Sequence, residues 1–363
     1  MSRFVSIAVA VLLVCGGLSL LVAQQMVTRD FTDPAASRDA RGPEFWTAER
    51  RAAAIPMIRT ISGSAAAGPM TPVGPVVSSP GQKATMLESP LDSSEVAVPG
   101  VLQPMEAGIF SSYPYPFTRY FPWGGLYNGN YAFYPIYPYR TVGKLFFTLG
   151  NTSYVCSASV IRPHLLLTAR HCVLDASAGW ASNVVFYPGY FNGVTNTRLK
   201  AWKARRMGTW SYAGTGAGLK WDIGFIQTYD DNNTSCGTSG HAIEYYTGFL
   251  GWMYGGYVGD RNYHAMGYPH AAPFNGLFMV IATSDVGNID PLNQPGTFSI
   301  GNDMTGGSSG GPWLVDFGVN NYANGLNSYK WTNPNRPLEM NSPNFQQDNF
   351  YNLLAWAQGW SCP

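Results

Sequence analysis

Short apolar and alternating runs joined by turn-forming residues, with one stretch of helical spacing near the end, predict an all-β chain closed by a C-terminal helix. Three observations carry that reading. Aromatic residues make up 14% of the 363 positions, alongside many Gly, Asn, Ser and Tyr, a composition that suits short strands and tight turns. Strand-like runs recur at 144–149, 155–161, 183–187 and 277–283. Only Phe345 to Gln358 places its apolar residues (Phe350, Leu353, Leu354, Trp356) around a helical period.

In chain order, the first element is not part of that domain. After Arg3, Phe4 to Ala23 run 20 positions without a charge. Residues 1–23 read as a signal peptide cut at the small residue Ala23, or, if retained, as an anchor long enough to span a bilayer. Cys15 lies inside this run, preceded by Val14 and followed by more apolar sequence, and reads as an inert apolar residue. Residues 24–112 are rich in Ala, Pro, Ser and Gly with little periodicity, so they are expected to be disordered or loosely attached. The segment 113–139 is too rich in Tyr, Phe and Trp for a plain linker and is expected to lie against the folded part. Residues 24–135 are thus read as a propeptide removed on maturation, or as a stalk behind an anchor, and 136–363 as the folded domain. A net charge of +1 with only 12% charged residues excludes a basic nucleic-acid-binding surface.

The chemistry concentrates in three places. Thr305-Gly306-Gly307-Ser308-Ser309-Gly310-Gly311-Pro312 sets hydroxyls in a glycine run, where backbone N–H groups can approach a ligand closely. A serine hydroxyl needs a base to become a nucleophile. Leu165-Leu166-Leu167-Thr168-Ala169-Arg170-His171-Cys172 offers one, as a buried strand ending at His171. Lys220-Trp221-Asp222-Ile223-Gly224-Phe225-Ile226 places a carboxylate among apolar neighbours, costly unless a partner uses it. Orienting an imidazole is such a use. The glycine run also spells Gly-x-Ser-x-Gly, the nucleophile elbow of α/β-hydrolases. That fold needs its histidine after the serine, whereas His164, His171, His241, His264 and His270 all precede Ser309. No His-x-x-x-His or Cys-x-x-Cys spacing occurs, so no metal and no cofactor are expected.

Together the three segments resemble the histidine, aspartate and serine motifs of chymotrypsin-like serine proteases, in the same chain order. Val155-Cys156-Ser157-Ala158-Ser159-Val160-Ile161 is similar to the family's strand before the histidine loop. Gly267-Tyr268-Pro269 and Val142 to Phe147 are similar to its secreted glutamyl-endopeptidase-like branch. The resemblance implies two six-stranded antiparallel β-barrels over 136–363, with the terminal helix packed on the second. It implies a catalytic triad of His171, Asp222 and Ser309, with the N–H groups of Gly307 and Ser309 as oxyanion hole. Ser308 competes as nucleophile by residue type alone; the family pattern Gly-x-Ser-Gly-Gly-Pro selects Ser309. The expected activity is peptide-bond hydrolysis by a secreted, monomeric enzyme acting on protein or peptide substrates, with a membrane as partner only if residues 4–23 are retained. The alternative is a catalytically impaired homologue that acts as a binding or structural protein.

Three departures from the family bear on these expectations. Arg170 replaces the usual small residue before the histidine; it is expected to point to solvent, and it motivates the impaired alternative. Ser308 stands where animal trypsins carry the aspartate that pairs with a new N-terminus. Gly325 to Lys330 resembles the specificity-pocket strand, including Ser328, but lacks the histidine that recognises glutamate. Asp303, six residues before Ser309, occupies the place of the trypsin aspartate that attracts Arg or Lys; preference for glutamate or a broad preference are the alternatives. Apart from Cys15, the cysteines are Cys156, Cys172, Cys236 and Cys362, an even set expected to be bridged in an oxidising compartment. Spacing alone leaves three pairings open, and the resemblance selects Cys156–Cys172 and Cys236–Cys362.

Overall fold

The structure is a computed structural model, and it describes residues 24–33, 37, 40–62, 73–86, 91–92, 108–110, 116–122, 131–132, 136–193, 198–211, 216–233, 235–237, 240–289, 296–332, 338–360 and 362. The signal-or-anchor stretch 1–23 and much of 113–135 lie outside the described residues. Among the described residues no helix is long and apolar enough to cross a membrane.

The first half of the domain is a closed antiparallel barrel of six strands. Val142–Leu149 pairs with Thr152–Arg162, which pairs with Leu165–Thr168, and that strand with Gly224–Thr228. The ring continues through Trp202–Trp210 and Ser182–Pro188 back to Val142–Leu149. Closure leaves both faces of Val142–Leu149 and Leu165–Thr168 buried, which is why these strands read as near-continuous apolar runs. Gly150, at φ 57, supplies the left-handed conformation for the tight reversal after the first strand.

The second half is built on another antiparallel sheet. Asn262–Gly267 pairs with Val280–Ile289 and with Pro312–Val315. Val280–Ile289 also pairs with Thr297–Gly301, across a register shift between Val286 and Asn288 that bends the long strand. Pro312–Val315 pairs with Tyr322–Leu326, and Thr297–Gly301 with Glu339–Pro343. Tyr263, Phe298 and Trp313 fill its interior with edge-on and tilted rings 5.3–5.9 Å apart. The fold is all-β and of the chymotrypsin type, as expected.

The terminal helix is present and touches both halves. A wide turn, Gln347–Tyr351, packs on Gly251–Gly256 of the second sheet and runs into the α-helix Asn352–Gln358, which packs on Trp202–Trp210 and Gly224–Thr228 of the first barrel. Gly208 explains the docking. A Cβ there would lie 2.4 Å from the Trp360 ring, so the missing side chain is the socket for Trp360 and Trp356.

Several described pieces of the region upstream of the domain lie along its strands. Met26–Asp30 pairs along Trp202–Trp210, and Val73–Ser79 along Gly251–Gly256. Phe117–Tyr120 lies antiparallel to Val280–Ile289. Trp46 is 1% exposed, stacks at a tilt on Phe146 and donates its indole N–H to the Asn183 carbonyl at 2.7 Å. Composition misses this because none of these pieces buries a core of its own. Each is a short strand or a single aromatic anchor that gains its stability by adding to an edge the domain already presents.

Candidate active site

His171 follows strand Leu165–Thr168 on a single 3-10 turn, Arg170–Cys172. That turn is held from both sides. The Cys156–Cys172 bridge ties it to the neighbouring strand, and the second expected bridge, Cys236–Cys362, is also formed. On the other side is Arg170, whose expected exposure to solvent is not observed. It is 5% exposed, and its guanidinium donates to three carbonyls: Trp210 at 2.9 Å, Leu174 at 2.9 Å and Ser211 at 3.1 Å. Arginine suits the position because its planar fork carries several donors at fixed angles.

Asp222 sits between the 3-10 turn Gly216–Trp221 and strand Gly224–Thr228, and is fully buried. Its two oxygens accept from three donors. His171 Nδ1 lies 2.9 Å from Oδ2, the His171 backbone N–H donates to Oδ1 at 3.0 Å, and the Ser328 hydroxyl donates to Oδ2. Arg59 Nη1 stands 4.0 Å from Oδ1. Burial pushes the carboxyl pKa up, but the charge and hydrogen bond of His171, with Arg59 and Ser328, outweigh it and hold Asp222 well below the usual carboxylate range. With Nδ1 engaged, His171 turns Nε2 inward, where it is buried and has no hydrogen-bond partner among the described residues.

Ser309 lies in the glycine turn of the second sheet, with Gly307 at φ 95 and Gly310 at φ 84. Only glycine fits at 310: a Cβ would lie 2.1 Å from Thr168 Oγ1 and 2.4 Å from the Ser157 carbonyl. Ser308 is turned away, its hydroxyl donating to Thr305 O at 2.8 Å, so the two candidate hydroxyls face different ways. Ser309 Oγ instead donates to the Met57 carbonyl at 3.2 Å, and the Gly307 N–H donates to the same oxygen at 2.7 Å.

Two residues that motif reading passes over hold this turn. The Ser157 N–H donates to the Ser309 carbonyl at 2.8 Å, and its hydroxyl donates to Gly307 O while accepting from Tyr268 N–H, both at 2.9 Å. Asn327 Nδ2 reaches the carbonyls of Met266 at 3.0 Å and Ser308 at 3.2 Å, and the Gly310 N–H donates to its carbonyl at 2.8 Å. Both lie inside segments that resemble the family's strands, Val155–Ile161 and Gly325–Lys330, yet nothing in the sequence signals this bracing role.

The two pocket candidates separate. Ser328 directs its hydroxyl at Asp222, so it serves the carboxylate rather than a substrate side chain. Asp303 forms an ion pair with Arg119, from upstream strand Phe117–Tyr120. Beside it Lys330 is nearly buried, donating to the carbonyls of Asn302 and Met304 at 3.2 Å. Burial lowers the Lys330 pKa to about 8, with Asp303 and Glu339 opposing the shift. The two groups of three His, Cys or acidic residues close enough to hold a metal among the described residues, Cys156/His171/Cys172 and His164/Cys236/Cys362, both draw on sulfurs already joined as disulfides.

A closed six-stranded barrel followed by a second β-sheet, with a histidine–aspartate pair in the first half and a glycine-flanked serine turn of the second packed against Cys172 of the histidine turn, is the arrangement of the chymotrypsin-like serine proteases, and the chain belongs to that family. No protein-family model matches the chain. Among solved structures it is similar to the protease Anisep from Arthrobacter nicotinovorans, with 30% identity over 57% of this chain and 90% of that one, at a TM-score of 0.48. It is also similar to AL20, a thermostable serine protease from an extremophilic microorganism, with 29% identity, 59% and 97% coverage, and a TM-score of 0.49. A Glu endopeptidase solved in complex with MPD shares 17% identity over 62% of this chain and 94% of that one, at 0.47. A 55-residue stretch, 15% of the chain, is 38% identical to an extracellular metalloprotease of Bacillus subtilis (strain 168), and spans 18% of that protein's length.

Proposed function

We propose that the chain is a serine endopeptidase that cleaves peptide bonds through an acyl-enzyme formed on Ser309. The observation that carries this reading is the buried pair of Asp222 and His171, which engages Nδ1 and leaves Nε2 without a partner. A buried carboxylate used in this way fixes the imidazole tautomer and stabilises the cation that forms on proton uptake. His171 Nε2 takes the Ser309 hydroxyl proton as Oγ bonds to the substrate carbonyl carbon. The oxygen, now negative, is held by the N–H groups of Gly307 and Ser309. His171 then gives the proton to the leaving amine as the C–N bond breaks, and water repeats the sequence to release the acid.

Two disulfides support an exported protein, with residues 1–23 as signal peptide or anchor. We read 24–135 as the propeptide of that enzyme. In the intact chain Arg119 pairs with Asp303, and Lys330 of the folded domain stays beside that carboxylate whether or not Arg119 is removed, so basic-residue specificity stands with glutamate and a broad preference as its alternatives.

The impaired homologue is the weaker reading, because the Arg170 that motivates it spends its donors on the carbonyls of Trp210, Leu174 and Ser211. Labelling with a fluorophosphonate probe separates the two. We expect stoichiometric modification of the processed protein and none of Ser309→Ala; modification of that variant to the same extent would refute the assignment.

A further inference from the structure

A segment of the upstream region made of two short strands, Ile55–Pro56 and Arg59–Ile61, crosses the site just described, and we propose that it is an intramolecular plug that keeps the unprocessed chain inactive. The inference rests on the protease reading and deepens it: it names the segment that regulates the site and the atoms through which it acts.

The segment is bound as an added strand on both sides of Ser309. Ile55 and Pro56 pair parallel with Tyr154 and Val155 of the first barrel, and the Met57 N–H donates to Val155 O at 3.0 Å. On the far side Arg59, Thr60 and Ile61 pair parallel with Tyr329, Lys330 and Trp331, and the Thr332 N–H donates to Ile61 O at 2.9 Å. Backbone pairing of this kind supplies affinity, and alternate side chains supply fit. Ile61 is 9% exposed and packs with Leu219, Tyr329 and Trp331. Between the two paired stretches, the Met57 carbonyl lies where a reacting carbonyl would be polarised.

The geometry there is a bound state that does not react. Attack requires the Ser309 hydroxyl hydrogen to point at His171 and an oxygen lone pair to face the carbonyl carbon. Here the hydroxyl donates to the Met57 carbonyl oxygen itself, at 3.2 Å, and His171 Nε2 has no hydrogen-bond partner among the described residues. The same oxygen takes the Gly307 N–H that the developing oxyanion needs. One carbonyl therefore disconnects nucleophile from base and fills half of the oxyanion hole. Tethering makes a short strand sufficient, because linkage to the same chain raises its effective concentration to about millimolar. Trp46, locked into the first barrel nine residues before Ile55, keeps that tether short.

The test compares rates of fluorophosphonate labelling at Ser309 in intact full-length chains, their N-termini checked by mass spectrometry. Met57→Pro removes the N–H that bonds Val155, Ile61→Asp removes the apolar anchor, and neither residue belongs to the catalytic machinery. We expect the double variant to label at least tenfold faster than the wild type. Ile61→Asp alone, the milder change at a strand end, should give a smaller acceleration and serves if the double variant fails to fold. An acetylated, amidated peptide of residues 54–62, added to the faster variant, should slow labelling again and emerge uncut between Met57 and Ile58. Equal rates for wild type and variants overturn the plug, and so does cleavage of the peptide at that bond, which would make it a substrate. No labelling of any form, including chains whose upstream region has been removed, overturns the protease reading itself.

Discussion

Replacing Arg170 with methionine tests whether the unusual residue beside the base builds the site or spoils it. The guanidinium spans three carbonyls, from Trp210, Leu174 and Ser211, whose surroundings differ. Trp210 is buried, Leu174 is half-buried and Ser211 is exposed. Methionine keeps most of the apolar contact but donates nothing. Water can replace the lost donor at Ser211 and partly at Leu174, while the Trp210 carbonyl is stranded at about 1–3 kcal/mol. Each hydrogen bond to a charged group is worth about 1.5–3 kcal/mol. Burial pushes the arginine's pKa down, with Asp222 opposing, so removing a poorly solvated cation returns part of this. The net expectation is a loss of about 2–3 kcal/mol, a drop in melting temperature of roughly 5–10 °C for a domain of this size. Calorimetry and the labelling rate of the processed protein should be measured together. Destabilisation with slower labelling fits a staple that holds the histidine turn. An unchanged melting temperature with faster labelling would refute the reasoning, since it would mean that the charge had been working against His171.

Two further expectations follow from the buried charges. Asp222→Asn places an amide where all three neighbours donate (His171 Nδ1, the His171 backbone N–H and Ser328), so the imidazole loses its required tautomer. We expect labelling and peptide hydrolysis to fall by about 10⁴-fold; a loss smaller than tenfold would show that Asp222 does not orient the base. Lys144 is buried at the Gly276 carbonyl, and burial, then the Arg51 charge, lowers its pKa to about 7. An unfolded lysine keeps its proton to about pH 10.4. Between pH 7 and that value the unfolded chain therefore binds more protons, and stability rises with pH. Below pH 7 both states are protonated and the penalty of the buried cation is constant. Denaturant titration of the intact chain should show the wild type gaining on Lys144→Met by up to about 1.4 kcal/mol per pH unit above pH 7; parallel curves would exclude a depressed lysine.

The legible parts of this protein were those in which one residue type meets one physical need. Glycines at 307 and 310 announce a turn that no side chain could enter, and Leu165 to Leu167 a strand with no wet face. An aspartate between Trp221 and Ile223 announces a partner, though it does not say which. Illegible were contacts made by generic atoms. Ser157 and Asn327 brace the serine turn largely through backbone groups of distant residues, and any of the chain's other serines or asparagines would look the same in sequence. The helix was visible from its spacing, yet its docking site depends on a cavity at Gly208 that exists only once the barrel has closed.

By itself, the sequence determined the all-β class and the family resemblance with its His171, Asp222 and Ser309, and the cysteine pairs only as what that resemblance implies. Each rests on local pattern or on residue chemistry that few other residues can supply. Only the tertiary structure decided that Arg170 is a staple, that Asp303 meets Arg119, and that a stretch as plain as Ile55–Ile61 lies on the nucleophile. Those outcomes hang on backbone carbonyls and strand edges. Every residue carries such groups, so their partners are chosen by where the folded chain brings them and not by which side chain they bear.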